Sequence, residues 1–169
     1  LTTTINTNTV TTAGAQAYTG AVTLGADVTL TTTSNGNVTF GSTVNSADAT
    51  ARDLTLSIGT GTARFDGVVG GNYVLDVIGI TGNLDLNAAI LKSGSSAGAT
   101  SLSVSGTSDL GANVKTTGAQ SYTGAVTLST DVTLTTTSNG NVTFGSTVNS
   151  ADATARDLTL SIGTGTARF

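Results

Sequence analysis

The chain has 169 residues, a formal net charge of −4 and only 9% charged residues, with no Pro, Cys, Met, Trp or His. Six basic residues cannot make the cationic track that a phosphate backbone requires, so nucleic acid is excluded as a partner. Without His or Cys there is no Ser–His or Cys–His nucleophile and no thiolate metal site, and no disulfide holds the fold.

Internal duplication dominates the chain. Residues 12–65 recur at 116–169 with four differences: Ala13/Thr117, Ala17/Ser121, Gly25/Ser129 and Ala26/Thr130. The chain therefore reads as one continuous segment, 1–169, of a longer array. Its unit is 104 residues: copy one 12–65, spacer 66–115, copy two 116–169. The opening LTTTINTNTV has neither a basic stretch nor an apolar core of a signal peptide, and the closing residues are ordinary repeat; both natural ends are expected to lie outside it.

In chain order, short runs alternate apolar and polar residues: Val28-Thr-Leu30, Val38-Thr-Phe40, Leu54-Thr-Leu56, Ala63-Arg-Phe65, Leu84-Asp-Leu86 and Leu102-Ser-Val104. Period two is the signature of a half-buried strand, and the abundant Thr and Val suit a pleated surface. Asn35-Gly36, Gly61 and Gly70-Gly71 supply turns. Residues 46–53 (SADATARD) read as a loop rather than a helical turn. The most apolar stretch, 68–80, is broken by Asn72 and Asp76 and falls short of the ~18 apolar residues of a membrane span, so no membrane insertion is expected.

Spacing sets the expected architecture. Leu54 to Leu75 and Phe65 to Leu86 are each 21 residues apart; Val28 to Leu54 is 26 and Phe40 to Phe65 is 25. Equal advances of two different strands predict closed coils, so the fold expected is all-β: a right-handed parallel β-helix (β-solenoid) of 20–26 residues per coil. Tandem antiparallel β-sandwich repeats are the alternative, favoured by hairpin signals such as Asn35-Gly36. The inward stack is expected to comprise Val28, Leu30, Val38, Phe40, Leu54, Leu56, Phe65, Leu75, Val77, Leu84 and Leu86. Outward, Thr39, Arg64 and Asp85 should follow one another, giving an exposed, weak Arg64–Asp85 ion pair that tests the register.

No residue is assigned to catalysis, to a cofactor or to a metal. Asp76 with Asp85, or Asp48 with Asp53, could make a glycosidase-like carboxylate pair, but these read as turn and strand-face residues. Calcium-binding repeats and phosphate loops are missing from the pattern. The Asn37-Val-Thr and Asn141-Val-Thr triplets match a glycosylation acceptor but read as chance in so Thr-rich a chain. Thr-x-Thr ladders suggest lattice binding, yet the intervening coils offer Leu54-Thr-Leu-Ser and Leu75-Asp-Val, so ice binding is not favoured.

The strings GAQAYTGAVTLGADVTLTTTSNGNVTFGSTVN (14–45) and GAQSYTGAVTLSTDVTLTTTSNGNVTFGSTVN (118–149) resemble repeats of filamentous-haemagglutinin-like adhesins, large exoproteins of Gram-negative bacteria. The resemblance implies a β-helical shaft, exported by two-partner secretion and extracellular or held at the bacterial cell surface. Its expected role is adhesion or biofilm matrix. The expected partners are neighbouring repeats or identical chains stacked along a fibre axis, and exopolysaccharide or a host or cell surface. The alternative function is a β-helical enzyme or binding protein acting on extracellular polysaccharide.

Overall fold

A computed structural model describes residues 1–94 and 96–169. Strands account for the regular structure of the described residues, and they stack in parallel into a β-solenoid of about eight turns of roughly 22 residues. The antiparallel sandwich is excluded: among the described residues every strand pair is parallel except Leu91–Lys92 with Ser96–Ala97.

The chain visits three faces in fixed order. Face A begins with Thr2–Ile5 under Ala21–Leu24 and Val44–Ser46. It continues through the single bridges Val44–Val69–Ile90–Val114 to Val132–Thr136 and Leu158–Ser161. Face B runs from Thr9–Thr12 through Val28–Thr32, the first halves of Arg52–Phe65 and Leu75–Leu86, and Ala99–Val104. Gln120–Tyr122, Val142–Phe144 and Ala167–Arg168 complete it. Face C runs from Gln16–Tyr18 through Val38–Phe40, the second halves of the two long strands, Ser108–Leu110 and Val126–Leu128 to Val148–Ser150. Among the described residues faces A and B are crossed eight times and face C seven, 23 crossings in all.

Alternation makes the interior. Of the expected inward residues, Val28, Leu30, Val38, Phe40, Leu54, Leu56, Phe65, Leu75, Leu84 and Leu86 are all buried. Val28 lies on Leu54, Phe40 on Phe65 and Phe65 on Leu86, as the spacings require. Two aromatic columns run along the stack, buried at Phe40, Phe65, Tyr122 and Phe144. Tyr18, Phe40 and Phe65 stack at centroid distances of 5.4 and 4.9 Å, and Tyr122, Phe144 and Phe169 at 5.6 and 4.9 Å.

Two expectations need correction. Val77 is not inward but 39% exposed. Leu75 does not lie over Leu54 either; it pairs with Arg52, and Leu54 pairs with Ile78. The cause is a bulge, in which Asp53 faces both Asp76 and Val77. One extra residue reverses the side of every following side chain, so Ile78 and Ile80 take the inward places. The Val77 amide donates to Asp53 Oδ1 at 3.0 Å, which pins the bulge. The 21-residue circuit holds on face C, from Phe65 to Leu86, and on face A, from Val69 to Ile90; on face B the circuit takes 24 residues, from Leu54 to Ile78.

The rungs are also tied at the corners by Asn and Asp side chains that accept amide protons from the next coil. Asn35 Oδ1 accepts from Thr60 at 3.1 Å, Asn37 from Thr62 at 2.9 Å, Asn83 from Thr107 at 2.9 Å and Asn113 from Thr133 at 2.7 Å. Asn35 and its counterpart Asn139 sit at φ 58°, where the short polar side chain is tolerated. Asn35→Ala loses both the rung bond and that tolerance. A destabilisation of about 1–2 kcal/mol is expected in chemical denaturation, with Asn35→Asp much closer to the parent.

Candidate functional site

The two copies occupy different faces. Val22 lies on face A, whereas its counterpart Val126 lies on face C. Val28–Thr32 is on face B and Val132–Thr136 on face A; Val38–Phe40 is on face C and Val142–Phe144 on face B. From Val22 to Val126 the chain makes fourteen crossings, four and two-thirds turns, so each copy is turned by two-thirds of a revolution relative to the last. One of the four sequence differences lies where the neighbours differ. A Cβ on Gly25 would displace the exposed Asn6 side chain. Its counterpart Ser129 has a different neighbour, and its hydroxyl donates to Asp109. Nothing in the structure explains Ala13/Thr117.

A buried polar network recurs in both settings. Gln120 Nε2 donates to Thr116 Oγ1 at 3.1 Å and to the Thr135 carbonyl at 3.0 Å, and the Tyr122 hydroxyl donates to Gln120 Oε1 at 3.1 Å. Gln16 repeats this with Thr12, Thr31 and Tyr18. The Gly-Ala-Gln-x-Tyr string is thus a brace: Gln reaches across a corner, and Tyr, two residues on along the same face, holds it. Sequence reasoning assigned these residues no role, although an apolar-facing Gln two residues before a Tyr in both copies was the available signal.

Burial pushes the Tyr122 hydroxyl above its usual value of 10.0, and that of Tyr18 likewise. Below pH 10 neither state loses this proton. Above it the unfolded chain releases a proton that the folded chain keeps, so stability falls, by up to ~1.4 kcal/mol per pH unit for the fully buried Tyr122. Thermal melts from pH 9 to 11.5 are expected to show this decline, and Tyr122→Phe to flatten it.

On face C, Thr39, Arg64, Asp85, Asp109 and Thr127 succeed one another on adjacent rungs. The Arg64–Asp85 pair is formed, Nη1 to Oδ2 at 3.4 Å, and Arg64 Nε also donates to Asp66 Oδ1 at 2.8 Å. Hydrogen bonding to Asp66, then the charges of Asp66 and Asp85, raise the Arg64 pKa. Around Asp85 and Asp109 lies an open depression of about 320 Å³, edged by Thr62, Asn83, Thr107 and Thr127.

The other carboxylate pairs do not converge. Asp76 is in the bulge on face B while Asp85 is on face C. The loop expected over 46–53 is confined to 47–51, between the strands Val44–Ser46 and Arg52–Phe65; Asp48 sits in it and accepts from the Thr50 amide at 2.7 Å, a bond that lowers its pKa, with Arg52 adding a smaller effect. Asp53 is a rung bridge. Among the described residues no three of His, Cys, Asp and Glu come together as a metal cluster. Asn37 and Asn141 are exposed, and both side-chain carbonyls are engaged in rung bonds.

Face B is different in kind. One outward column reads Thr9, Thr29, Thr55, Gly79, Ser103, Ser121, Thr143, ending in Arg168. Beside it runs Thr11, Thr31, Ser57, Thr81. The bulge puts Gly79-Ile80-Thr81, rather than Leu75-Asp-Val, into the fourth rung, so Thr81 continues the second column while Gly79 leaves a gap in the first. Val132–Thr136 adds nothing to this face, because it lies on face A.

Comparison with known proteins gave no match: no family model, no curated protein and no solved structure is similar to this chain.

Proposed function

We propose that the chain is a non-catalytic shaft segment of a secreted or surface-attached bacterial adhesin, giving reach for cell–cell or cell–surface adhesion in a biofilm matrix. One observation carries this reading. The same 54-residue block, with four changes, closes its coils in two angular settings and against different neighbours. Such a block can be added in any number, since it needs a coil beneath it rather than one particular partner. That property serves length, and the resemblance of the GAQxYTGAVTL and NVTFG strings to filamentous-haemagglutinin-like repeats supplies the adhesive context.

In a surface-displayed form, each added 104-residue unit is expected to lengthen the shaft by ~22 Å, four and two-thirds rungs at the strand spacing. Adhesion should follow that reach. Loss of adhesion on Asp85→Asn with Asp109→Asn, at unchanged length, would assign the activity to a local site and defeat the proposal.

A second reading is favoured by face B. Its two uncharged outward columns, seven rungs from Thr9 to Thr143 with a gap at Gly79 and four rungs from Thr11 to Thr81, present Thr and Ser hydroxyls at fixed pitch, and they suit a neutral extracellular polysaccharide. Binding to insoluble polysaccharide that disappears on Thr31→Lys with Thr55→Lys would support it over a purely passive shaft.

A further inference from the structure

One outward position of face B lacks the side chain that its neighbours carry. Gly79 lies inside the strand Leu75–Leu86, between Thr55 on the rung before and Ser103 on the rung after. Glycine weakens a strand interior, and it stands there where the backbone bulges, bends or lets something approach closely. The fold requires no glycine at this position. Its φ lies outside the left-handed region, and among the described residues a Cβ there would meet only Ser103 Oγ at 3.9 Å and Thr55 Oγ1 at 4.0 Å. At Gly61 and Gly67, by contrast, a Cβ would lie within 2.6 Å of backbone atoms of the coil beneath. The bulge does not account for Gly79 either, since regular pairing has resumed by Ile78.

The gap has walls of two kinds. Along the column stand the hydroxyls of Thr55 and Ser103. Among the described residues no protein group takes up either one, whereas the Thr32 hydroxyl, at a corner, donates to the Gly36 carbonyl at 2.7 Å. Along the strand, Val77 on one side is 39% exposed and Thr81 on the other is exposed. Asp53, on the rung before, accepts the Val77 amide. Its negative charge therefore stands beside the gap and disfavours an anionic ligand.

We propose that the gap at Gly79 seats the exocyclic hydroxymethyl group of a neutral hexopyranose unit in an extracellular polysaccharide. The element missing from the column is a side chain of serine size, and the serine side chain is itself a hydroxymethyl group. A hexopyranose carries that group on the ring carbon beside its ring oxygen. Seated in the gap, its oxygen exchanges hydrogen bonds with the Thr55 and Ser103 hydroxyls, and its methylene rests against Val77 and the bare backbone. The sugar ring then lies over the uncharged columns. A pentopyranose has the same ring without this group and leaves the gap unfilled. The inference rests on the second reading of function, that face B holds a neutral polysaccharide, and adds which sugar the face selects.

Binding isotherms of the 169-residue chain on insoluble cellulose and insoluble xylan test this, because the two polymers share their linkage and differ at the hydroxymethyl group. Cellulose is expected to bind about fivefold tighter, the effect of one exposed hydrogen-bonded group. Gly79→Ser fills the gap with the chain's own hydroxymethyl and should lower cellulose affinity to the xylan level. Its melting temperature should stay at or above the parent's, because a strand glycine is replaced without a clash. Thr55→Val with Ser103→Ala leaves the gap open but strips its hydroxyls, and should lower cellulose affinity in the same way. Equal binding of the two polymers, or a cellulose preference that survives Gly79→Ser, would overturn the seat at Gly79 and leave the polysaccharide reading of face B standing. Binding to neither polymer would overturn both.

Discussion

Phe40→Ala is expected to destabilise the first three coils by ~3–5 kcal/mol, the cost of truncating a fully buried aromatic whose cavity cannot collapse. Phe40 is completely buried and lies between Tyr18 and Phe65, with both rings within 5.4 Å. Its backbone is held by rung bonds on either side, so the neighbouring rings cannot close the gap. A solenoid is stable only through nearest-neighbour contacts. The loss should therefore appear as early melting of the coils from Thr2 to Phe65 rather than as a uniform shift. Hydrogen exchange resolved by segment would show it: faster exchange in residues 2–65, with 108–144 nearly unchanged. Phe40→Leu, which keeps much of the volume, should recover most of the difference.

Gln120→Leu is expected to cost ~2–4 kcal/mol, because a buried hydroxyl and carbonyl lose their partner while the new side chain brings only burial. Gln120 is 1% exposed and Tyr122 fully buried, so no water can replace the lost bonds. Tyr122→Phe alone should cost less, and the double variant less than the sum of the two, since the singles share one bond. The molecule contains its own control. Gln16 makes the same bonds in the first coil, where it is 6% exposed and Tyr18 is only half-buried. Gln16→Leu should therefore cost about 1 kcal/mol less than Gln120→Leu, the difference between a dry and a partly wetted site. Equal costs for the two would show that the brace acts through local backbone geometry and not through buried hydrogen bonding.

Strand positions, coil formation and most of the inward set could be read from the sequence, for a physical reason. Period-two alternation of Val, Leu and Phe against Thr fixes which side of a strand is buried without reference to any neighbour, and equal advances between like residues fix what lies over what. Phe65 over Leu86 and the Arg64–Asp85 pair both came from spacing alone. The hydroxyl-rich exterior follows equally directly from composition, since a chain so poor in charge has little else to put there.

Other features depended on contacts that no local pattern contains. The bulge at Asp76-Val77 turned Val77 outward and placed Thr81 in the fourth rung of the second hydroxyl column. Whether an extra residue is absorbed in a strand or in a corner depends on the coil beneath, here on Asp53 reaching the Val77 amide. The Gln–Tyr brace was hidden because a polar residue is read as outward unless a partner across the corner is known. The rotation of the second copy was beyond reach for the same reason. Identical sequence gives identical local structure, but which face a segment occupies is the sum of every turn before it. A unit of four and two-thirds turns can be recognised only when the whole path is laid out, so sequence determined the rung while the accumulated winding decided the direction each rung faces.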